Sequence, residues 1–335
     1  YNRITVDKFA SMPITSHSGI SGYSTNNGSL RNRGFEFDLT ARIISTKDWT
    51  WNASLNGGFN KNTILKLPNN GLERNRQGAY EVYTGNGNEK KWVGGYQEGQ
   101  SPGDIYAFQA DGLYRTEAEI PENLIDKVPG KNLYGPKAWA NLDAATKDAI
   151  KALPIQPGDV RWRDVNGDGV IDQYDRVYIG RSTPLVTGGF NTQLTWRQLT
   201  LSARLDYALG HHVVDGRTPW ILGNMQGTFN TLTIARDKTF SAENPNAEYS
   251  PYVWADQLGK SNFYRSSSQF IYRGDYLAFR EISLSYRVPE FLTKKMAMNS
   301  LELSLTAQNL GYLTAAKLVY SPEPGADTMG GYSLP

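Results

Sequence analysis

The clearest signal along this chain is a strict alternation of apolar and polar side chains. From Phe35 to Ile43 apolar residues occupy every odd position, and acidic, basic or hydroxyl residues fill the even ones. A period of two places the apolar groups on one face of a β-strand. The alternation restarts after a short turn at 46–48 and runs from Trp49 to Asn60, so the two runs predict a β-hairpin.

The same alternation returns in the second half of the chain. Four more clear strands are predicted at Leu185 to Trp196, Leu199 to Leu209, Ile282 to Val288 and Leu301 to Ala307. Weaker candidates are Tyr1 to Lys8, Lys90 to Gln97 and Asp104 to Gln109. The pattern therefore predicts an all-β fold of about nine to ten antiparallel strands.

The length and two-faced character of these strands favour a membrane barrel. The clear strands are about 10 to 13 residues long, whereas soluble sheets usually have strands of about five or six. A tilted strand needs about 9 to 11 residues to cross a bilayer, with apolar side chains facing lipid and polar ones facing the interior. The alternative is a soluble all-β protein, such as a sandwich with decorated loops on one side.

The connections alternate between short and long. The short ones fall at 46–48, 99–103 and 197–198, with a moderate one at 289–300, and the long ones at 9–32, 62–88, 111–183, 210–274 and 311–335. Short turns of outer-membrane barrels are periplasmic and long loops are extracellular. By this parity, residues 111–183 are expected to form a long extracellular insertion. Within it, Ala138 to Leu153 is predicted to be one short helix that ends before Pro154.

Composition excludes several functional classes. The net charge of +2 provides no electrostatic footprint for nucleic acid, and the absence of Cys excludes disulfides and thiolate chemistry. No apolar run is long enough for a transmembrane helix, but transmembrane strands leave no such signal. The 12 % aromatic content and 33 Gly favour strands and turns.

The densest chemistry lies at 164–175, DVNGDGVIDQYD, which reads as a calcium-binding loop. Oxygen ligands fall at positions 1, 3, 5, 7, 9 and 12 of the motif, and Gly169 occupies the sharp turn at position 6. The predicted ligands are Asp164, Asn166, Asp168, the carbonyl of Val170, Asp172 and Asp175. Asp at position 12 is shorter than the usual Glu, and Asp, Asn and Gly also favour ion-free turns. We predict a structural Ca²⁺ site, with an ion-free turn as the alternative.

Other residue groups indicate no catalytic site. His211 and His212 point to opposite faces of a strand, with His17 as the remaining His, so we interpret them as loop-entry residues. The carboxylate pairs Asp104/Asp111 and Glu117/Glu119 have no fixed separation and are interpreted as solvated loop charges. Loop aromatics that could stack on a sugar or pack beneath a partner are Tyr80, Tyr83, Trp92, Trp139, Trp220, Tyr249, Tyr252 and Trp254. We predict that the protein is not an enzyme.

Six phrases in the chain resemble the SusC-like (RagA-like) TonB-dependent outer-membrane transporters of Bacteroidetes. They are NNGSLRNRGFEFDL (26–39), KDWTWNASLNGGFNKNTILKL (47–67), EGQSPGDIYAFQADGLYRTEAE (98–119), GDVRWRDVNGDGVIDQYDRVYIGRSTP (158–184), YLAFREISLSYRVP (276–289) and LELSLTAQNLGYLT (301–314). They occur in the family's order and span nearly the whole chain. The chain thus resembles the C-terminal third of such a transporter.

The resemblance implies a barrel of about 22 strands around a plug, an N-terminal region that contacts TonB, and a SusD-like lipoprotein lid over the extracellular mouth. It also implies that residues 1–335 form only the C-terminal part of the barrel, because the plug is absent and the chain stops at 331–335, where the family enters its last strand. We therefore expect a fragment that cannot close a barrel alone.

The function implied by the resemblance is import across the bacterial outer membrane. A TonB complex would pull on the plug, and an oligosaccharide or a peptide would pass through the lumen without a change in its bonds. The partners would be the SusD-like lipoprotein, the TonB complex and membrane lipid. The alternative from the residues themselves is a soluble or surface-anchored calcium-dependent glycan-binding module.

Overall fold

The dominant element is an antiparallel sheet of seven strands. The computed structural model describes residues 1–13, 17, 22–128, 131–223, 233–252, 259–316 and 321–323. The strands of the sheet are β1 (Asn2–Pro13), β2 (Gly22–Ser45), β3 (Trp49–Lys66), β4 (Val186–Trp196), β5 (Leu199–Leu209), β6 (Tyr276–Arg287) and β7 (Glu302–Thr314). Their order in the sheet is their order in the chain. The six clear strands predicted from the sequence, and the weaker one at Tyr1 to Lys8, all belong to this sheet.

The register of the sheet joins apolar residues into continuous rows on one face. One row is formed by Leu39, Leu55, Phe190, Leu205 and Phe279, and a second by Trp51, Leu194, Leu201, Leu284 and Leu305. Many of these side chains are exposed, including Leu39 at 61 % and Leu305 at 77 %. The face therefore presents apolar surface to its surroundings rather than to a core inside the chain.

The opposite face of the sheet is polar. Thr40, Ser54, Asn191, Arg204 and Glu281 form one row across five strands. They line a cavity of about 370 Å³ on that face. Since successive strand residues point to opposite faces, the two sets of rows follow directly from the alternation in the sequence.

Close packing on the apolar face uses small residues under large rings. Gly57 pairs with Gly188 across β3 and β4, and Gly188 pairs with Tyr207 on β5. A Cβ atom at Gly57 would lie 2.6 Å from the ring of Phe37. The Tyr207 hydroxyl donates a hydrogen bond of 3.0 Å to the carbonyl of Asn56. Glycine at 57 and 188 thus allows two aromatic rings to lie flat against the sheet.

At one end of the sheet the connections are short. Residues 46–48 join β2 to β3, residues 197–198 join β4 to β5, and 288–301 join β6 to β7. Trp49 stacks on Trp196 beside the two tight turns, with ring centroids 5.7 Å apart. These short connections are those that the sequence predicts.

At the other end, two long insertions leave the sheet. The first insertion, 67–185, joins β3 to β4, and the second insertion, 210–275, joins β5 to β6. The expectation of a long loop at 9–32 is wrong, because β1 and β2 extend through most of it and only 14–21 separate them. Polar side chains such as those of Ser24 and Asn26 interrupt the alternation there, so the alternation does not reveal the strand pairing.

Short strands organise the insertions. In the first insertion they are Tyr80–Tyr83, Lys90–Val93, Asp104–Phe108, Ala110–Leu113, Ile125–Asp126, Leu133–Tyr134, Leu153–Pro154, Val160–Trp162, Val170–Ile171 and Arg176–Arg181, and in the second His212–Val214 and Ile271–Arg273. The weaker candidates Lys90 to Gln97 and Asp104 to Gln109 lie here and not in the main sheet. Lys90–Val93 pairs with Tyr80–Tyr83, and Asp104–Phe108 pairs with Arg176–Arg181, so 99–103 is not a hairpin turn.

The helices are short and lie in the connections. They are α1 (Pro136–Ala140), α2 (Ala144–Ala149), α3 (Arg217–Gly223), α4 (Thr233–Asp237) and α5 (Glu290–Lys295), with 3-10 turns at Glu73–Asn75, Glu117–Glu119 and Ser268–Phe270. The single helix predicted at Ala138 to Leu153 is in fact two, α1 and α2. Asp143 lies between them and caps the second, accepting a hydrogen bond from the backbone N–H of Thr146 at 2.8 Å. No helix in the described ranges is long and apolar enough to cross a membrane.

The two insertions pack against each other and are held together by buried ion pairs. Phe108, Trp162 and Ile171 pack in the core of the first insertion, and Phe240 of the second packs against them. Arg265 of the second insertion pairs with Asp126 of the first at 2.7 Å, with side chains 1 % and 3 % exposed. Lys260 pairs with Asp159, also at 2.7 Å and nearly buried. The insertions therefore form one packed unit at this end of the sheet.

Loss of Arg265 should loosen this unit. In Arg265→Leu, the Asp126 carboxylate would be buried without its partner, which costs about 3 to 5 kcal/mol. We expect faster amide hydrogen exchange and proteolysis across 104–176, while the seven-stranded sheet keeps its protection. The double variant Asp126→Leu/Arg265→Leu should recover most of the loss. The control is Arg236→Leu, whose pair with Asp237 is exposed. Unchanged exchange in Arg265→Leu would contradict the assignment.

Candidate functional site

The predicted calcium loop, 164–175, lies in the first insertion between the strands Val160–Trp162 and Arg176–Arg181. Its centre is anchored by a short parallel ladder, in which Val170 and Ile171 pair with Ile125 and Asp126. Ile171 is 1 % exposed and packs in the core of the first insertion. The apolar residue at position 8 of the motif therefore fixes the loop to the core.

Two glycines and the first Asp shape the start of the loop. Gly167 and Gly169 have positive φ angles of 76° and 81°, a region in which other residues are strained. This turn brings their N–H groups to Asp164, whose carboxylate accepts hydrogen bonds of 2.7 Å from both. The spacing of Asp and Gly in the motif thus produces a closed turn.

Asp175 closes the loop from its other end. It is fully buried, and its two carboxylate oxygens accept hydrogen bonds from the backbone N–H of Val165 at 2.8 Å and of Asp172 at 2.7 Å. Burial, with a smaller contribution from the charges of Asp172 and Asp164, raises the pKa of Asp175 to about 6, although the two N–H bonds act in the opposite direction. A nearby cation would favour the charged form of this carboxylate.

The remaining predicted ligands bond within the loop or to its neighbours. Asp168 accepts hydrogen bonds from Val170 N–H at 2.8 Å and from the Asn166 amide at 2.9 Å. Asp172 accepts from Tyr174 N–H at 2.8 Å and from the Tyr83 hydroxyl at 3.3 Å. Burial, followed by the charges of Asp172 and Asp168, raises the pKa of Tyr83 to about 12. The loop thus has a negative electrostatic character.

The structure brings the six predicted ligands into one turn but does not assemble a metal cage. Within the described ranges, no three carboxylate or imidazole groups are arranged so that they could hold an ion. Among those same residues, no ion pair joins Asp164, Asp168, Asp172 or Asp175 to a basic side chain. The Asp–Gly turn forms, but the carboxylates are bonded to N–H groups, so the Ca²⁺ site stays a prediction.

The histidines and the other acidic pairs have structural surroundings. His211 is fully buried, with Nε2 2.9 Å from the carbonyl oxygen of Pro322, and it lies where the second insertion leaves β5. Asp111 is held by Arg163 through two hydrogen bonds of 2.8 and 3.0 Å. Glu119 accepts a hydrogen bond from the N–H of Arg115 at 2.9 Å. These partners give Asp111 and Glu119 local packing roles rather than the roles of a catalytic acid and base.

Several of the loop aromatics pack against basic side chains or other rings. Arg76 lies 3.9 Å from the ring centroid of Trp92, Lys147 4.2 Å from that of Trp139, and Arg176 4.6 Å from that of Tyr80. Tyr83 packs edge-on against Tyr174, and Tyr249 stacks on Phe270. Trp220 and Tyr252 are 46 % and 39 % exposed, and Trp254 lies outside the described residues.

No pattern in the sequence indicates the cleft in the second insertion. A cavity of about 270 Å³ lies between residues 214–220 and 263–271. Its lining includes Asp215, Trp220, Tyr264, Arg265 and Ser267. These residues come from two segments more than forty positions apart, so no local motif could have joined them.

Relatives of this chain are TonB-dependent receptors. TonB-dependent receptor P3 of Formosa agariphila is 26 % identical over 332 residues, covering 99 % of this chain and 28 % of the receptor. TonB-dependent receptor SusC of Bacteroides thetaiotaomicron is 25 % identical over 218 residues, covering 64 % of this chain and 17 % of SusC. No protein-family model matches the chain. The relatives are receptors rather than enzymes, consistent with the prediction that this chain is not an enzyme.

Solved structures show the same fold. The RagAB peptide transporter aligns with a TM-score of 0.65 and 19 % identity, over 98 % of this chain and 30 % of the transporter chain. Its closed-closed state aligns with a TM-score of 0.63. The chain spans less than a third of the length of these relatives. The resemblance inferred from the sequence is therefore confirmed: over most of its length the chain is similar to TonB-dependent receptors that include SusC, and its fold fits a C-terminal portion of their β-barrel.

Proposed function

We propose that this chain forms the C-terminal barrel wall of a transporter that imports a nutrient across the bacterial outer membrane. The observation that supports this proposal best is the seven-stranded sheet with apolar rows on one face and polar rows on the other. In water, continuous rows of exposed apolar side chains such as Leu39 and Leu305 would be unfavourable, so the face is expected to contact a membrane or a partner.

The dimensions of the sheet suit a bilayer. β4 and β5 each contain 11 residues. At a rise of about 3.3 Å per residue and a tilt of about 45°, such a strand covers roughly 25 Å, the height of the apolar band in outer-membrane barrels. The stacked Trp49 and Trp196 would lie at one membrane interface, where aromatic girdles occur.

The polar face would line the transport path. Thr40, Asn191, Arg204 and Glu281 offer both hydrogen-bond donors and acceptors to water and cargo. Short turns would face the periplasm and both insertions the outside, as in other outer-membrane barrels. By this assignment, residues 111–183 belong to an extracellular insertion.

The names of the relatives support a proposal for the cargo and the partners. RagAB is named as a peptide transporter, and SusC is a TonB-dependent receptor. We propose an oligosaccharide or a peptide as cargo, a SusD-like surface lipoprotein over the insertions, and coupling to TonB through parts of the protein outside this chain. The rival class, a soluble calcium-dependent glycan-binding module, would have to cover the apolar face in another way.

We also propose that segment 164–175 binds Ca²⁺ as a structural ion. Four Asp side chains within twelve residues, with Asp175 buried, create a site at which a cation would offset mutual repulsion. Asp164, Asn166, Asp168, the Val170 carbonyl, Asp172 and Asp175 would supply the oxygens. The ion would rigidify the first insertion and take no part in moving cargo.

Extraction from cells tests membrane integration. The full-length native protein should remain in the outer-membrane fraction after washing with high salt or alkaline carbonate, and should be released by detergent, because its apolar face contacts lipid. Release by salt alone would support the soluble module instead.

Charge placed on the two faces of the sheet should have opposite consequences. Leu39→Arg introduces a cation near the middle of the apolar face and should destabilise the barrel by about 2 to 4 kcal/mol. The control is its neighbour Thr40→Arg on the polar face, which should be tolerated. The measurement is the urea midpoint of the full-length barrel refolded in lipid vesicles. Equal midpoints for both variants would contradict the assignment of faces.

Calcium should stabilise the first insertion. Asp164→Ala combined with Asp168→Ala should lower its thermal stability when Ca²⁺ is present and have little effect in chelator, because the ion is then absent from both proteins. Millimolar Ca²⁺ is required, since extracellular sites bind at about 10⁻⁴ to 10⁻³ M. Asp143→Ala, which removes the cap of α2, should act equally in both conditions. Identical melting of the native protein with and without chelator would exclude a bound ion.

A further inference from the structure

The cleft in the second insertion contains buried polar atoms that the fold leaves without partners. Asp215 is 7 % exposed, and its Oδ1 accepts hydrogen bonds of 3.0 Å from the N–H groups of Arg217 and Thr218. Its Oδ2 has no hydrogen-bond partner among the residues that the structure describes. Ser267 is 3 % exposed, and its hydroxyl also has none in that part of the chain. Such atoms are rare in folded proteins and point to an absent partner.

A donor lines the same cleft. Arg265 uses Nη2 to bind Asp126, while its Nε and Nη1 have no hydrogen-bond partner within the described ranges. Arg265 and Asp215 are both lining residues. The cleft therefore combines an unused carboxylate oxygen, an unused hydroxyl and a guanidinium group with unused donors.

Aromatic side chains form the exposed part of the lining. Trp220 of α3 is 46 % exposed, and Tyr264 is 45 % exposed. Both line the same cleft as Asp215 and Ser267. Exposed rings of this kind present a flat apolar surface, with the polar atoms of Trp and Tyr at the edge.

This combination selects one class of ligand. A cationic side chain would be attracted by Asp215 but repelled by Arg265. An anionic group would be attracted by Arg265 but repelled by Asp215. A sugar ring is neutral, each of its hydroxyls both donates and accepts hydrogen bonds, and its C–H face can lie on Trp220 or Tyr264. A volume of about 270 Å³ is slightly below the range of sites for drug-sized ligands, which suits a single ring.

We propose that the cleft between residues 214–220 and 263–271 is a subsite that holds one ring of an oligosaccharide. Asp215 accepts a hydrogen bond from a ring hydroxyl, Ser267 exchanges hydrogen bonds with a second, and Trp220 stacks on the ring. The proposal rests on the proposed import function, and it selects oligosaccharide rather than peptide from the two cargo classes. The cleft lies in the insertion that would face the outside of the cell.

The test measures binding of a panel of methyl hexosides and methyl pentosides to the full-length protein in detergent, by saturation-transfer NMR and calorimetry. At least one glycoside should bind. Asp215→Asn, which keeps the Oδ1 bonds to the backbone, and Ser267→Ala should each weaken it roughly tenfold, as expected for lost hydrogen bonds to a ligand. Neither variant should lower thermal stability, because the atoms changed have no partner among the described residues. Trp220→Ala should weaken binding as well.

The matched control is Asp143→Asn, another Asp that caps a short helix, which should leave binding unchanged. Equal affinity in all variants, or no binding of any glycoside, would overturn the cleft proposal. Binding of acetyl-lysine amide that is lost in Asp215→Asn would overturn the choice of sugar over peptide. Membrane extraction, and TonB-dependent growth of cells that carry the same variants, report on import separately. Failure of the subsite proposal is therefore distinguishable from failure of the transporter proposal.

Discussion

The pairing register of the seven-stranded sheet is the constraint on which the rest of the structure depends. A shift of one residue between any two strands would exchange the faces of every side chain beyond it. Leu39 opposite Leu55 and Phe190 opposite Leu205 keep apolar groups together across four strands. The same register places Arg204 opposite Glu281 on the polar face. The sequence pattern that sets the strand pairing therefore also separates the apolar side chains from the charged ones.

The two insertions are stabilised by different interactions from those of the sheet. They have cores of their own, one around Phe108 and Trp162 and another around Leu222 and Tyr249. Their connection relies on buried charges, which are costly to remove from water and are retained only when each is paired. Arg265 illustrates this, because Asp126 satisfies one of its nitrogens while the ring of Trp162 lies 4.3 Å from its guanidinium carbon.

How much could be predicted from the sequence depends on the range of the interactions. The strands of the main sheet follow from a period of two, which is visible within a few residues, and the turn at 164–175 follows from its Asp and Gly spacing. The strand at 22–34 was missed because its side chains are mixed in polarity and only pairing with β1 and β3 defines it. The weaker strand candidate at Lys90 to Gln97 lies outside the main sheet, because Lys90–Val93 pairs with Tyr80–Tyr83, a partner that alternation alone does not reveal.

The candidate sites divide in the same way. The predicted ligands from Asp164 to Asp175 are neighbours in the chain, so their proximity was predictable, whereas the direction of each carboxylate depends on N–H groups fixed by folding. Asp215, Trp220 and Ser267 meet through tertiary packing, for which the sequence contains no local signal. Tyr249 was interpretable either as a ligand platform or as packing, and its parallel stack on Phe270 assigns it to the core.

The buried pairs between the insertions also have a consequence for inheritance. Asp126 and Asp159 lie in one insertion, and Arg265 and Lys260 lie in the other, on opposite sides of the β4–β5 hairpin. A recombination event that replaced one insertion alone would bring in a surface without the matching charges. The two charged side chains of the other insertion would then be buried without partners. Selection would therefore act on the two segments together, because a charge in one is retained only with its partner in the other.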